Sequence, residues 1–412
     1  MVLNIKKSFD LYKVLLLLFI VSIYHQSVLN NTIVWKCIVI SFCLISISKI
    51  IISKKISIDG YFKWILSLSI IMTFIGLISD YQQESLTYTK QFIKVAMFSY
   101  IIVNNCKNKK DIDFLLISIW IAGLTVVFSL IMNFDTDMVT AVETNLTSTR
   151  LGLGGIEHPN TTAYNIIISY VVGIYFIINN NRKQDQKLIF LIGQVLLIIG
   201  CILTGSRKVL ITIVLLPLMI IIYKSKNPIK LFVSIAVMVI LSSALYTFTQ
   251  NNEALYNIIG HRIEDIGSIL NGKDESAAGR EQLIDEALQI GMNNPLGVGV
   301  NCFMFYSYDG AYAHNEYLEI FADLGLIGLL VYYVPILIIL YKLLLRISKN
   351  KKLGSKDNTL YFYWAFLLVN ILILEVFQIT FNIFSYHIII SLFLSRKVFR
   401  NSSERINLEE YV

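Results

Sequence analysis

The chain has 412 residues, of which 56% are hydrophobic and only 15% charged, and its mean hydropathy is +0.65. A soluble domain cannot bury that much apolar surface, since soluble chains run nearer a quarter charged. The net charge of +7 is scattered in small basic clusters, which excludes a nucleic-acid partner.

Twelve apolar segments approach the ~20 residues needed to cross a bilayer core: 11–29, 33–53, 62–79, 90–105, 113–133, 161–179, 187–204, 208–223, 229–248, 316–342, 359–376 and 379–396. The expected fold class is an all-α polytopic membrane protein with about twelve transmembrane helices and a large extracytoplasmic loop. Residues 1–248 would hold nine helices and an outer loop at 134–160. Residues 249–315 would form the large outer loop with short amphipathic helices. Residues 316–412 would hold three more helices and a tail. The first apolar run has no small-residue cleavage site after it, so no cleavable signal peptide is expected.

Lys and Arg set the expected orientation. Lys6, Lys7 and Lys13 precede the first segment. Lys49, Lys54, Lys55 and Lys63 lie between the second and third. Lys107, Lys109 and Lys110 follow the fourth, and Arg182, Lys183 and Lys187 the sixth. Lys224, Lys226 and Lys230 follow the eighth, Arg346 to Lys356 the tenth, and Arg396, Lys397 and Arg400 the twelfth. Every second loop is basic, so both termini should be cytoplasmic in a multi-pass plasma-membrane protein. Five cysteines (Cys37, Cys43, Cys106, Cys201, Cys302) have no paired spacing and imply neither disulfides nor a metal framework. Only Cys302 falls in an expected outer loop.

The outer face carries cations that the positive-inside rule disfavours: Arg150, Arg207, Arg262 and Arg280, with His158, His261 and His314. Arg262 and Lys273 read as solvated loop charge, balanced by neighbouring acids. Arg207 lies between two apolar runs at membrane depth, where an ionisable group is costly and often marks a site. Residues 280–291 read as an amphipathic helix with Leu283, Ile284, Ala287, Leu288 and Gly291 on one face. Asn293-Asn294-Pro295 would end it. Arg280 falls in its first turn, against the helix dipole. It pairs either with Glu281 or Asp285 or with an anionic ligand. Gly297 and Gly299 permit tight backbone passage.

His314 precedes a helix for which Asn315 is a plausible N-cap. The positive end of the helix dipole disfavours imidazolium. A neutral imidazole there could take a proton from a hydroxyl, or it could simply cap or brace a loop. His158, in Glu157-His158-Pro159-Asn160, reads as part of a turn. Asp135-Thr136-Asp137 could hold a divalent cation, but no third ligand is evident, so no metal and no cofactor are expected. Asp111-Ile112-Asp113 is on the wrong face. No nucleotide loop, nucleophile elbow or HExxH is present.

The order Gly279-Arg280, Asn294-Pro295-Leu296-Gly297-Val298-Gly299, His314-Asn315-Glu316-Tyr317-Leu318-Glu319 and Leu324-Gly325-Leu326-Ile327-Gly328 resembles the O-antigen polymerase and ligase family of polytopic membrane glycosyltransferases. Gly205-Ser206-Arg207 resembles that family's outer Ser-Arg step. Arg150 with His158-Pro159-Asn160 resembles its Arg…Asn-Pro-Asn segment, with His158 where Asn is usual. Ile284 stands where an aromatic residue is usual after the Gly-Arg pair.

The resemblance implies a glycosyltransferase acting on the outer face, whose donor is a polyprenyl-diphosphate-linked oligosaccharide, without metal or nucleotide sugar. Its partners would be that donor, an acceptor glycan and membrane lipid, with a chain-length regulator as a further candidate. Catalytic residues would be His314, Arg280 and Arg207. Substrate-binding residues would be Arg150, His158, Asn160, Asn315, Gly297 and Gly299. The expected function is polymerisation of O-antigen or capsule repeat units, as in lipopolysaccharide or other surface polysaccharide biosynthesis. The alternatives are ligase-type transfer to a different acceptor, or a lipid-linked oligosaccharide flippase. A flippase should carry charge deep in its helices, whereas these interiors are poor in charge, with Glu375 a rare exception.

Overall fold

The computed structural model describes residues 10–30, 32–53, 57–133, 152–153, 157–179, 182–224, 228–252, 256, 275–353 and 358–397. Among these residues there are fourteen α-helices, a short 3-10 turn at Phe303–Phe305 and no strand. In chain order the helices are α1 Leu11–Tyr24, α2 Gln26–Leu29, α3 Ile33–Ser53, α4 Gly60–Ile78, α5 Gln82–Asn105, α6 Lys109–Met132 and α7 Pro159–Ile178. Then come α8 Gln184–Leu203, α9 Arg207–Lys224, α10 Pro228–Gln250, α11 Glu275–Asn293, α12 Glu316–Leu353, α13 Asn358–Glu375 and α14 Phe384–Leu394.

Each of the twelve apolar segments contains helix, the first α1 and α2 together and the last only the short α14. Six helices (α3, α4, α6, α7, α8 and α12) are long and apolar enough to cross a membrane among the described residues. α1, α13, α14 and the Thr212–Tyr223 part of α9 are shorter apolar helices. The protein is an all-α polytopic membrane protein.

α7 is buried along almost its whole length. It packs on α6 and α8 because small residues let the backbones close in. Gly123 of α6 meets Ser169, while Gly173 and Gly193 both receive Trp120. Ser169 Oγ donates to Ile119 O at 2.9 Å, and Gln194 Nε2 donates to Tyr170 O at 3.1 Å. These bonds satisfy polar groups that lipid could not.

One end of the bundle gathers basic side chains. Arg182 pairs with Asp113 at 3.3 Å, Lys13 with Asp111 at 4.0 Å, and Lys397 Nζ donates to Cys106 O at 2.9 Å. The other end carries the segment 294–315.

α12 is interrupted at Gly325, where φ is 66°. A residue with a side chain rarely adopts that angle. A Cβ there would also overlap the Pro295 carbonyl oxygen. The break releases the Ala322 and Asp323 carbonyls from the helix ladder. Val298 N donates to Ala322 O at 3.0 Å and Gly299 N to Asp323 O at 2.9 Å. Gly297, at φ 89°, lies against the same Asp323 carbonyl. The glycine-rich motif and the Leu-Gly-Leu-Ile-Gly motif are therefore two halves of one backbone junction.

Candidate active site at the start of α12

Asn315 caps α12, its Oδ1 accepting from Leu318 N at 3.2 Å. Glu319 reaches back past the helix start, and its Oε2 accepts from Ala313 N at 2.6 Å. His314 lies between these two anchors at φ 55°. Left-handed backbone costs a residue with a Cβ about 1–2 kcal/mol, and such an outlier persists only where its surroundings over-determine it. Here Ala313 is clamped on one side and Asn315 on the other. The His314 ring lies 4.0 Å from the Tyr312 ring, centroid to centroid.

α11 forms and ends at Asn293, but it begins at Glu275, so Arg280 is not in its first turn and the expected opposition to the helix dipole is corrected. Its buried face differs from the expected one in a single position. Leu288 is 45% exposed, and Ile290 packs inward beside Leu283 and Ala287. These side chains share a small core with Ala313, Ala322, Phe303 and Leu318. Arg280, one turn before Leu283, and His314, next to Ala313, are thus mounted on the same cluster. Arg280 is half-buried and forms no salt bridge with Glu281 or Asp285.

A second set of residues meets on the far side of α12's start. His158 caps α7, its Nδ1 accepting from Asn160 N at 3.2 Å. This is the turn role expected for it. Asn160 Oδ1 accepts from Ser206 Oγ at 3.4 Å, and its carbonyl accepts from Gln378 Nε2 at 3.5 Å. Two residues on, Thr380 N donates to Glu316 Oε2. This polar chain joins the starts of α7, α9 and α12 to the loop between α13 and α14. Arg207 begins α9 and follows Ser206 directly, so its backbone stands in this group. Arg150, His261, Arg262, Lys273, Asp135 and Asp137 lie outside the described residues, as do most of the 134–160 loop and residues 257–274.

Sequence reasoning underrated the acids of α12. Glu316, Glu319 and Asp323 are 0%, 1% and 2% exposed, and their spacing puts them on one helical face. The expectation that Glu375 is a rare interior charge is corrected here: Asp323 and Glu319 lie inside the same bundle. Each acid receives backbone N–H groups. Asp323 takes those of Asn301, Cys302 (3.1 Å) and Phe303 (2.9 Å). The available signal was their i, i+3, i+7 spacing on an otherwise apolar helix.

Glu157, beside this group, has its carboxyl pushed above the usual range by burial, partly offset by the Thr162 hydroxyl at 2.7 Å. Among the described residues no group of three His, Cys, Asp or Glu could hold a metal ion.

Residues 192–333 match the family model described as O-antigen ligase. The matched span, about a third of the chain, contains Arg207, Arg280, Gly297, Gly299, His314, Asn315 and Asp323. No curated protein matches the chain.

Proposed function

We propose that the chain is a repeat-unit polymerase, transferring a glycan from polyprenyl diphosphate to an acceptor sugar hydroxyl at the outer face of the membrane. The observation that carries this reading is His314, held at a positive φ between two side-chain anchors and mounted on one core with Arg280. The 294–315 end faces outward, with the basic end in the cytoplasm.

The reaction is a substitution at the anomeric carbon of the donor. The acceptor O–H attacks that carbon, and the His314 imidazole takes the proton. The bond from the anomeric carbon to the diphosphate oxygen breaks, and polyprenyl diphosphate leaves with the electron pair. Negative charge grows on that oxygen in the transition state, where fixed cations act most strongly. Arg280 and Arg207 supply them, with Arg150 as a further candidate from the 134–160 loop. A guanidinium can grip two phosphate oxygens at once. Asn315 fixes the helix start. His158 and Asn160 shape the wall of the site, and Gly297 and Gly299 set the backbone path beside it.

His314→Ala tests this in purified protein supplied with lipid-linked repeat units. General-base loss lowers rate by roughly 10²–10⁴-fold, so extension should stop while donor binding persists. Near wild-type turnover would overturn the assignment. Arg207→Lys and Arg280→Lys should each lose roughly 10–100-fold, since Lys cannot reproduce the forked contact. A deletion strain that accumulates single repeat units on the lipid carrier indicates a polymerase; long undelivered chains indicate a ligase.

A further inference from the structure

α5 starts at the rim of the candidate site. Val300 N donates to Ser85 Oγ at 2.8 Å, and Ser79, just before α5, donates to Val298 O. Its other end is tied to the far end of the bundle, where Ser57 Oγ donates to Asn104 Oδ1 at 2.7 Å. One face, from Ser85 through Thr89, Phe92, Ala96 and Ser99 to Val103, is buried. On the other face Gln83, Thr87, Lys90, Gln91 and Lys94 are all exposed. The neighbouring α4 differs. Its exposed side chains are mostly apolar, including Leu66, Ile70, Phe74 and Leu77, with Lys63, Ser67 and Thr73 among them.

Depth makes the polar stripe significant. At 1.5 Å per residue, about 30 Å of hydrocarbon measured back from Asn104 ends near residue 84. Lys90 and Lys94 fall roughly 9 and 15 Å inside that edge. A lysine facing lipid there costs about 2.5–3.5 kcal/mol or more. Glu84 is on the helix too, but spacings of six and ten do not face it toward either lysine. Neither lysine has an ion pair among the described residues. α5 itself is not among the helices apolar enough to cross a membrane; two exposed cations one turn apart, without an ion pair among the described residues and with amide and hydroxyl groups beside them, offer a site to an anion.

We propose that the Lys90–Lys94 stripe binds the diphosphate of a second polyprenyl-linked glycan, the acceptor, beside the donor held at Arg280 and His314. This rests on the polymerase reading, because only a polymerase joins two lipid-linked units. The two sites differ as their chemistry requires. The donor diphosphate departs and gains charge, which suits a forked guanidinium. The acceptor diphosphate keeps all its bonds and needs only to be held, which point-charge ammonium groups can do. Its isoprenoid chain would lie along the apolar face of α4, and its glycan would rise past Ser85 toward His314.

The test measures farnesyl diphosphate bound to the full-length protein in neutral-lipid nanodiscs. Wild-type protein is expected to bind two equivalents and the K90Q/K94Q double variant one. The apparent KM for lipid-linked repeat units should rise roughly tenfold or more in that variant. K90R/K94R, which keeps both charges, should restore the second equivalent.

A single equivalent in wild type, or two in K90Q/K94Q, overturns the proposal. So does equal binding of phosphatidylglycerol at the stripe, which would make these lysines anchors to bulk anionic headgroups. The stoichiometry is read without turnover. Failure of the polymerase reading would appear separately, as His314→Ala protein that still extends glycan.

Discussion

The buried acids of α12 and the cations around them follow opposite rules. Glu316, Glu319 and Asp323 are almost fully buried, and each takes backbone N–H groups from another segment. Arg280 is half-buried, Lys90 and Lys94 are exposed, and none of the three has a salt bridge among the described residues. A carboxylate accepts several hydrogen bonds at one point, so it can gather a loop onto a helix. A long cationic side chain reaches outward from its backbone. Buried carboxyl groups therefore organise this end of the molecule as acceptors, while the cationic side chains have no ion pair among the described residues.

Asp323→Ala tests the acid side of that contrast with the largest expected effect. It leaves the N–H groups of Asn301, Cys302 and Phe303 without their acceptor. Each unsatisfied buried donor costs about 1–3 kcal/mol, so a loss of about 3 kcal/mol or more is expected, read as a large drop in Tm in detergent. Arg280→Ala should change Tm little, because partly exposed positions without partners are usually within about 0.5 kcal/mol of neutral. Comparable drops for the two variants would erase the distinction.

Glu319→Ala comes next. It frees Ala313 N and relaxes the clamp on His314, so the left-handed turn should lose population. About 1–2 kcal/mol of local strain is at stake, which converts to roughly 5- to 30-fold in rate. Glu319→Gln keeps an acceptor oxygen and should retain most activity. If both variants turn over like wild type, the positive φ at His314 has no bearing on the chemistry.

The helices of this fold are legible in the sequence, but the contrast itself is not. Apolar run length located the helices, because a membrane span must satisfy its backbone internally. Asn315 was readable as a cap, since its oxygen can reach an orphan N–H. The break at Gly325 was not readable, since a lone glycine inside an apolar run is tolerated in an intact helix. Only the pairing of Val298 and Gly299 with the Ala322 and Asp323 carbonyls shows why it is glycine. Reading the helix interiors as poor in charge missed Glu319 and Asp323, because no local pattern shows that a loop will fold over the first turns of α12. The Lys90–Lys94 stripe was absorbed into a short apolar segment whose start was placed at residue 90; the helix begins eight residues earlier, at Gln82.

The smallest effect concerns Cys302, which reports on the charge of Asp323 from nearby. Its side chain is fully buried, and burial first, then the negative charge of Asp323, push the thiol up to about 11. At pH 8 the thiol is then almost wholly protonated, and only the thiolate reacts. With the other four cysteines replaced by Ser, iodoacetamide should modify the native protein at pH 8 very slowly and the denatured protein readily. Asp323→Asn removes the charge while keeping an acceptor oxygen, so the pH midpoint of labelling should move down. Local opening of the loop would behave differently, raising the rate at every pH without moving the midpoint. A midpoint unchanged in Asp323→Asn would mean that this carboxyl carries no charge in the native protein. The N–H groups of 301–303 would then be held by a neutral acid, and the contrast with the cations would be one of acceptor geometry rather than of charge at its best-connected residue.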